Sequence, residues 1–409
     1  MTRHEGPPES DHMAACLVAL AHLPGVGPAT LLRCHRNEGA VVAWEAVVAG
    51  HPRRIGGLAE QLDRLDAAAT TRLVQAARSR DLREDLERHR AEGRQVLVHG
   101  QPGYPARLLH DLFPPAVLFA QGHVGLLEHP TVAIIGTRNA TRPGRDLAEA
   151  MGEELAAAGV VVISGLALGI DGSAHRGALA AGPLERAKSH ERVVGSGDHE
   201  PPLAAVGVIA AGLDVAYPRR HADLHRQIST RGLLLSETPL GSRPVPWRFP
   251  ARNRVIAALA DVLVVVESRA TGGSMITVSE ALDREVQIMA VPGHPAAAAA
   301  VGTNELLYDG AAPVRNAADV LLALGIQPPM TAPGGVVVAR PAAPGQRAVL
   351  GAIGTSPCAL AEVVALTGRS LDDVSADLSA LEAGGWITRV GGWYERVAHA
   401  SRRRHGVCP

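Results

Sequence analysis

Six short apolar runs, separated by helix-like segments and followed by small-residue turns, constrain this chain more than any other feature. They lie at 132–136, 160–164, 206–210, 233–236, 262–266 and 287–291. Each is nearly continuous in its apolar character rather than alternating, as strands covered on both faces are. Their alternation with helical patterns between 131 and 325 predicts βαβ units and an open parallel sheet. Such a sheet binds ligands beyond the carboxyl ends of its strands. The chain brings glycine-rich turns to that edge, in VAIIGTR, SGLALGID, AAGLDVAYP and TGGSMIT.

The groups expected there suit phosphate oxygens, which take backbone N–H donors and guanidinium forks. Gly136 ends the first run, Thr137 offers a hydroxyl, and Arg138 projects over the edge. Ser164, Gly165 and Gly169 repeat the pattern on the next run and can line a phosphate nest. Asp171 is expected to cap the following helix, and His175 to be a buried hydrogen-bonding residue. FPARNR at 249–254 places Arg252 and Arg254 about Asn253. Two positions apart, they share one side of an extended stretch. Trp247 and Phe249 stand just upstream, an aromatic platform beside charge of the kind single-stranded nucleic acid uses, although core packing also accounts for Phe249. A competing reading buries one of the two arginines against Glu237 or Glu267. Gly273, Ser274 and Thr277 open the next helix with donors toward the cleft, and Glu280 follows one turn on.

Composition narrows the ligand. The net charge is −1, so no global basic field attracts nucleic acid and any such site is local. Lys188 is the only lysine among 40 basic residues. Its setting, GPLERAKS, lacks the glycine a phosphate-binding loop needs before the lysine, which argues against a Walker-type ATPase. GTRNATRPG lacks the G-x-G-x-x-G spacing, so no dinucleotide or other cofactor is expected. Cys16, Cys34, Cys358 and Cys408 are scattered, with no C-x-x-C pair, which argues against a metal site or a disulfide framework and for a reducing compartment. With no signal-peptide core and no run approaching 18 apolar residues, a cytoplasmic protein without membrane contact is expected.

The domain organisation follows from the patterning. Residues 1–98 are expected to form a helical domain, all-helical over 13–98, containing LPGVG. That turn has the form of a helix-hairpin-helix, but Arg33 is the first cation after it. This favours a helix-packing role over a DNA contact. Residues 99–326 carry the sheet, with an edge strand within 114–122 and a polar surface insertion at 182–204. A Pro/Ala/Gly linker spans 327–345. Residues 346–397 read as a winged helix whose hairpin turns at Gly391-Gly392, and 398–409 as a disordered tail. The third helix of the winged module carries Asp372, Asp373, Asp377 and Glu382 without arginine, and such a face repels a phosphate backbone.

Taken together, VAIIGTR, GVVVISGLALGIDGSAHRGAL, AAGLDVAYP, LLLSETPLG, FPARNRVIAALAD, VVVESRATGGSMIT, MAVPGHP and GTNELLYDGA resemble the DNA-processing protein A (DprA/Smf) family. The resemblance spans roughly 105–312. It implies an α/β fold with a Rossmann-like parallel core, an N-terminal helix-hairpin-helix or SAM-like domain, and a C-terminal winged helix. It also implies a non-enzymatic protein that binds and protects single-stranded DNA, forms homodimers, and helps load the RecA recombinase during DNA uptake. Arg138 matches the family's DNA-binding arginine, whereas Leu168 stands where many members have lysine. Two rival readings use the same cleft: a nucleotide N-glycosidase-like hydrolase, in which Gly272, Gly273, Thr277 and Glu280 imitate a catalytic signature, and a sensor of a small nucleotide ligand.

Overall fold

The computed structural model describes residues 9–63, 67–184, 201–328, 343–353, 357–383 and 386–396. Most of the insertion (185–200), most of the linker (329–342) and the expected tail lie outside them. The chain divides into two compact units, Met1–Gln327 and Pro328–Pro409.

The first unit begins with six helices: α1 (Glu9–Ala21), α2 (Pro28–Asn37), α3 (Ala40–Val48), α4 (Gly56–Asp63), α5 (Ala67–Arg78) and α6 (Leu82–Arg90). α1 is apolar around most of its circumference, and Cys16 to Leu20 have no exposed surface. A helix of that pattern is stable only when enclosed, and α1 is packed among α2, α3, α6 and the sheet edge.

That edge is a strand the helical reading missed. β1 (Arg94–Val98) pairs antiparallel with β2 (Val117–Gly122). Its residues RQVLV alternate only briefly, but Leu97 and Val98 are buried under the helices, and this burial fixes the segment as a strand. β2, expected at the edge, is one place further in and pairs antiparallel with β6 (Leu233–Ser236).

The parallel core comprises β3 (Thr131–Ile135), β4 (Val161–Ser164), β5 (Ala205–Ile209), β6, β7 (Val262–Val265), β8 (Gln287–Ala290) and the short β9 (Ala312–Pro313). The sheet order is β1-β2-β6-β5-β4-β3-β7-β8-β9. The helices between are α7 (Ala106–Leu109), α8 (Arg142–Ala157), α9 (Ile170–Ala180), α10 (Ala222–Arg231), α11 (Arg248–Leu259), α12 (Gly273–Leu282), α13 (Val301–Tyr308) and α14 (Ala317–Ala323). Every residue of β3, β4, β5, β6 and β7 is buried, which explains their unbroken apolar runs. The chain winds outward from β3 to β6, then returns to place β7 on the other side of β3. The order therefore reverses at β3, and its carboxyl end is a topological switch point.

The second unit contains α15 (Pro344–Ile353), β10 (Cys358–Ala359), α16 (Leu360–Thr367), α17 (Leu371–Ala383), β11 (Ile387–Val390) and β12 (Trp393–Arg396). β11 and β12 form a hairpin in which Val390 pairs with Trp393, so Gly391 and Gly392 make a two-residue turn with φ of 58° and 89°. Val349, Ile353, Val363, Val374, Leu378, Leu381, Ile387 and Tyr394 form its core. Three helices with a small three-stranded sheet make a winged helix.

Candidate nucleic-acid interface

The carboxyl ends of β3, β4 and β5 and the first turn of α11 enclose a recess of about 50 Å³, lined by Arg138, Gly165, Leu168, Tyr217, Phe249 and Arg252 among others. Arg138 is exposed, and its guanidinium carbon lies 5.0 Å from the Phe249 ring centroid. Phe249 in turn lies 5.7 Å from Tyr217, which is 44% exposed. Among the described residues Arg138 has no carboxylate partner. Its charge is held over an aromatic surface and remains open to solvent.

The loop carrying Arg138 is tightly fixed. The Thr137 N–H donates to the Glu267 carbonyl at 2.7 Å. Gly169, with φ of +80°, lies under the same loop. A Cβ there would come within 2.3 Å of the Thr137 carbonyl oxygen, so no other residue fits without moving the loop. The Thr137 hydroxyl accepts from the Asn139 N–H at 3.2 Å and shapes the turn.

Several expected phosphate ligands are engaged elsewhere. The Ser164 hydroxyl has no exposed surface and donates to the Ile134 carbonyl at 2.7 Å, tying β4 to β3. The Gly165 N–H donates to the Asp171 carboxylate at 3.1 Å. Asp171 therefore fastens the β4 loop instead of capping α9, and the expected nest is closed by the protein's own carboxylate. Burial raises the Asp171 carboxyl above its ordinary range, against the pull of Arg252. The amino end of α8, a natural anion site, is likewise filled: the Thr141 N–H and hydroxyl donate to Glu267 at 2.9 and 2.5 Å. His175 is buried, and that burial holds its imidazole neutral, with a pKa of about 3.

FPARNR departs most from expectation. It is helical, within α11, and not extended. Pro250 falls in the first turn, where its missing N–H costs nothing, and the following VIAAL continues the helix. At about 100° per residue, positions two apart face nearly opposite ways. Arg252 points inward and donates to the carbonyls of Gly165, at 2.9 Å, and Val208. It is 8% exposed, and burial lowers its pKa to about 10. Arg254 points the other way, pairs with Glu237, and donates to the Phe113 carbonyl. Neither is a free phosphate fork. Arg252 reaches the recess of Arg138 but is spent on carbonyls, and Arg254 turns away, so the three do not form one track of free forks; the expected pairing with a carboxylate is realised in Arg254. Asn253 accepts from Arg252 at 3.2 Å and reaches the Gly273 carbonyl at 3.5 Å.

At the start of α12, Gly273 is exposed, but Ser274 and Thr277 are buried, and the hydroxyls of Ser274 and Ser268 lie 2.8 Å apart. Neither side chain faces the cleft openly. Glu280 is bound by Arg284 at 2.7 Å, and Arg284 also binds the deeply buried Asp111 at 2.7 Å. The carboxylate that a glycosidic hydrolase would need is thus held in a structural ion network.

The rim carries further cations outside the motifs named above. Arg219, Arg220 and Arg243 are exposed and have no carboxylate partner among the described residues. Tyr217 stands beside the first two, and Trp247, 54% exposed, carries Arg248 at 5.3 Å over its ring. The available signal was YPRR at 217–220, an aromatic followed by two cations directly after the β5 turn. Among the described residues no group of His, Cys, Asp and Glu could hold a metal ion, and no helix is long and apolar enough to cross a membrane.

Comparison with known proteins agrees with this layout. The family model of DNA recombination-mediator protein A matches residues 95–325, and that of the DprA winged helix domain matches residues 337–392. The chain is 28% identical to Protein Smf of Synechocystis over 93% of its length and 98% of the relative's. It is 30% identical to Protein Smf of Escherichia coli over 74% of its length and 77% of the relative's. The X-ray structure of DNA processing protein A from Streptococcus pneumoniae superposes with a TM-score of 0.56 at 26% identity, covering 76% of this chain and 97% of that one.

Proposed function

The chain belongs to the DNA recombination-mediator protein A family, and from that premise we propose that it binds single-stranded DNA across the carboxyl edge of its sheet. In this reading it protects incoming strands and passes them to the RecA recombinase during DNA uptake, acting as a cytoplasmic homodimer without catalysis of its own.

The observation that carries the proposal is the setting of Arg138. A guanidinium with no carboxylate partner among the described residues stands over Phe249 and beside Tyr217, at the switch point of the sheet. A phosphate oxygen takes the two-point fork of arginine, and a neighbouring base takes the exposed ring. Stacking of this kind tolerates any base, so the strand is held without sequence preference. Arg252 acts beneath this surface as a positioning residue, holding the ends of β4 and β5 together.

The recess volume supports this reading over its rivals. About 50 Å³ accommodates a water or two. A pocket that encloses a whole small ligand measures roughly 300 Å³ or more. A strand lying across the rim needs no such cavity, whereas a nucleotide hydrolase or sensor does. The test is binding of single- and double-stranded oligonucleotides in the absence of ATP, with a nucleotide-release assay beside it. Preference for the single strand and no released base or nucleotide is expected. Preference for duplex, or turnover of a nucleotide, would overturn the proposal.

A further inference from the structure

The α1–α2 hairpin is not only a packing element. It forms one wall of a groove of about 1080 Å³, whose opposite wall is the turn leading into α11. Arg33, Arg36 and Asn37 of α2 line one side; Trp247, Arg248 and Phe113 line the other. A narrow recess touched by both Arg252 and Trp247 lies between this groove and the Arg138 cleft. The two sites are therefore neighbours along α11, and Phe249 and Trp247, two positions apart, stand one at each.

We propose that this groove is a second single-stranded nucleic-acid subsite, taking the nucleotides that run on from Arg138. The inference rests on the reading of the Arg138 cleft given above. Three observations carry it. The first is room, because the groove exceeds the smallest ligand-enclosing volumes several-fold, while the Arg138 recess encloses no base. The second is aromatic surface. Trp247 is 54% and Phe113 60% exposed on a chain with only 3% aromatic residues, and both open onto the same groove. Large exposed rings cost solvation unless something covers them, and bases are flat faces that stack on them.

The third is charge. Arg36 is exposed and has no carboxylate partner among the described residues. Arg33 faces Glu60 at 3.8 Å, a loose surface pair that a phosphate can replace. Arg248 lies over Trp247 at 5.3 Å, cation beside stacking surface. The acids near these cations are already engaged: Glu60 with Arg33, Glu38 with the Gly56 N–H, Asp111 with Arg284 and Glu237 with Arg254. The balance favours a polyanion with aromatic faces over an acidic peptide, which would use the charge but leave the rings bare.

The test uses the full chain and oligothymidylates of about 6 and about 20 nucleotides, lengths that bracket one site and two. Binding is followed by anisotropy over a salt series. Trp247→Ala should weaken the longer strand by roughly 5- to 100-fold, the range for losing one stacked base, and the shorter strand much less. Arg36→Ala should reduce the salt slope of the longer strand by about 0.7 and leave that of the shorter one unchanged. Both residues are exposed, so thermal melting should match wild type; should Trp247→Ala misfold, Arg36→Ala decides. Wild-type affinity and slope for the longer strand in both variants, or equal losses at both lengths, would overturn the second subsite. Arg138→Ala in the same series separates the two claims. If it weakens both lengths while the groove variants do nothing, the Arg138 reading stands and the groove proposal falls. If Arg138→Ala also binds as wild type, the underlying reading falls.

Discussion

The Arg252 guanidinium donates to the Gly165 carbonyl at 2.9 Å, joining residues 87 positions apart at the floor of the cleft. A Cβ on Gly165 would lie 2.6 Å from Nη2 of the same guanidinium, so the arginine occupies the space a side chain would need. Together with the bond to Val208, this contact locks the ends of β4 and β5 and sets the height of the rim on which Arg138 stands.

Removing that lock should cost stability before it costs binding chemistry. Arg252→Ala leaves two buried carbonyls without donors and Asp171 without its compensating charge. A loss of about 2–4 kcal/mol is expected, measured by urea unfolding. Lysine at 252 should recover little, because it lacks the fork that reaches both carbonyls. An Arg252→Ala protein as stable as wild type, with weakened DNA binding only, would mean that Arg252 contacts the ligand directly.

Tyr217 offers the converse case. It is half exposed and touches the cleft through Phe249 at 5.7 Å. Tyr217→Ala should weaken single-strand binding by roughly 1–3 kcal/mol, the value of a stacked base, with the melting temperature nearly unchanged. Equal affinity in the variant would remove Tyr217 from the binding surface.

Acid should destabilise the first unit. His22 and His175 are each pushed down to about 3 by burial, and burial also lowers His35 and His89. Neutral His89 is fully used: one ring nitrogen lies 2.7 Å from the Asp85 carbonyl, and Nε2 accepts from the Leu240 N–H at 3.1 Å. The unfolded chain takes up protons near pH ~6.5, whereas folded His22 and His175 do so only near pH 3, and folded His35 and His89 below their ordinary value. These groups therefore contribute fully above about pH 6.5, and their contribution falls as pH drops toward the folded values. Each uncoupled histidine adds a slope of about 1.4 kcal/mol per pH unit in that window. Unfolding free energies at about pH 7.5, 6 and 5, spanning that window, check this; a flat profile would contradict it.

The winged helix should be dispensable for strand binding. The first turn of α17 carries Asp372 and Asp373, and the Arg369 guanidinium nearby is paired with Asp377. Acids on this helix repel a phosphate backbone. A protein ending at residue 327, where the first compact unit ends, should bind single strands with near wild-type affinity and slope. Loss of binding in a folded truncated protein would show that the winged helix contributes directly.

How much of this was legible in the sequence differs from element to element. The six apolar runs fall within a residue or so of β3 to β8; for β3 to β7 this follows from burial on both faces, which leaves a continuous apolar trace. β1 was missed because its burial comes from α1 and α6, which no local pattern reveals. Arg138 was legible as a cation directly after a strand. Arg252 and Arg254 read as phosphate ligands but are spent on backbone carbonyls and on Glu237, and the misreading came from secondary structure: two residues apart means the same side in a strand and nearly opposite sides in a helix. Ser164, Ser274 and Thr277 read as ligand donors, yet each lies where the chain's own packing encloses it. Spacing along the chain does not report that enclosure. The groove under the hairpin was invisible for the same reason, since Arg36 and Trp247 are brought together only by the packing of α2 against the turn into α11.

The most direct test of the central claim is the salt dependence of single-strand affinity in Arg138→Ala. Removing one cation that binds a phosphate should flatten the log–log slope by roughly 0.7. Because Arg138 is exposed and its loop is held by Thr137, Gly169 and Glu267, melting should stay near wild type. Weaker binding, a slope shallower by about 0.7, and partial recovery with Arg138→Lys, which restores charge but not the fork, are expected. Wild-type affinity and slope in Arg138→Ala would contradict the central claim and place the strand elsewhere on the molecule.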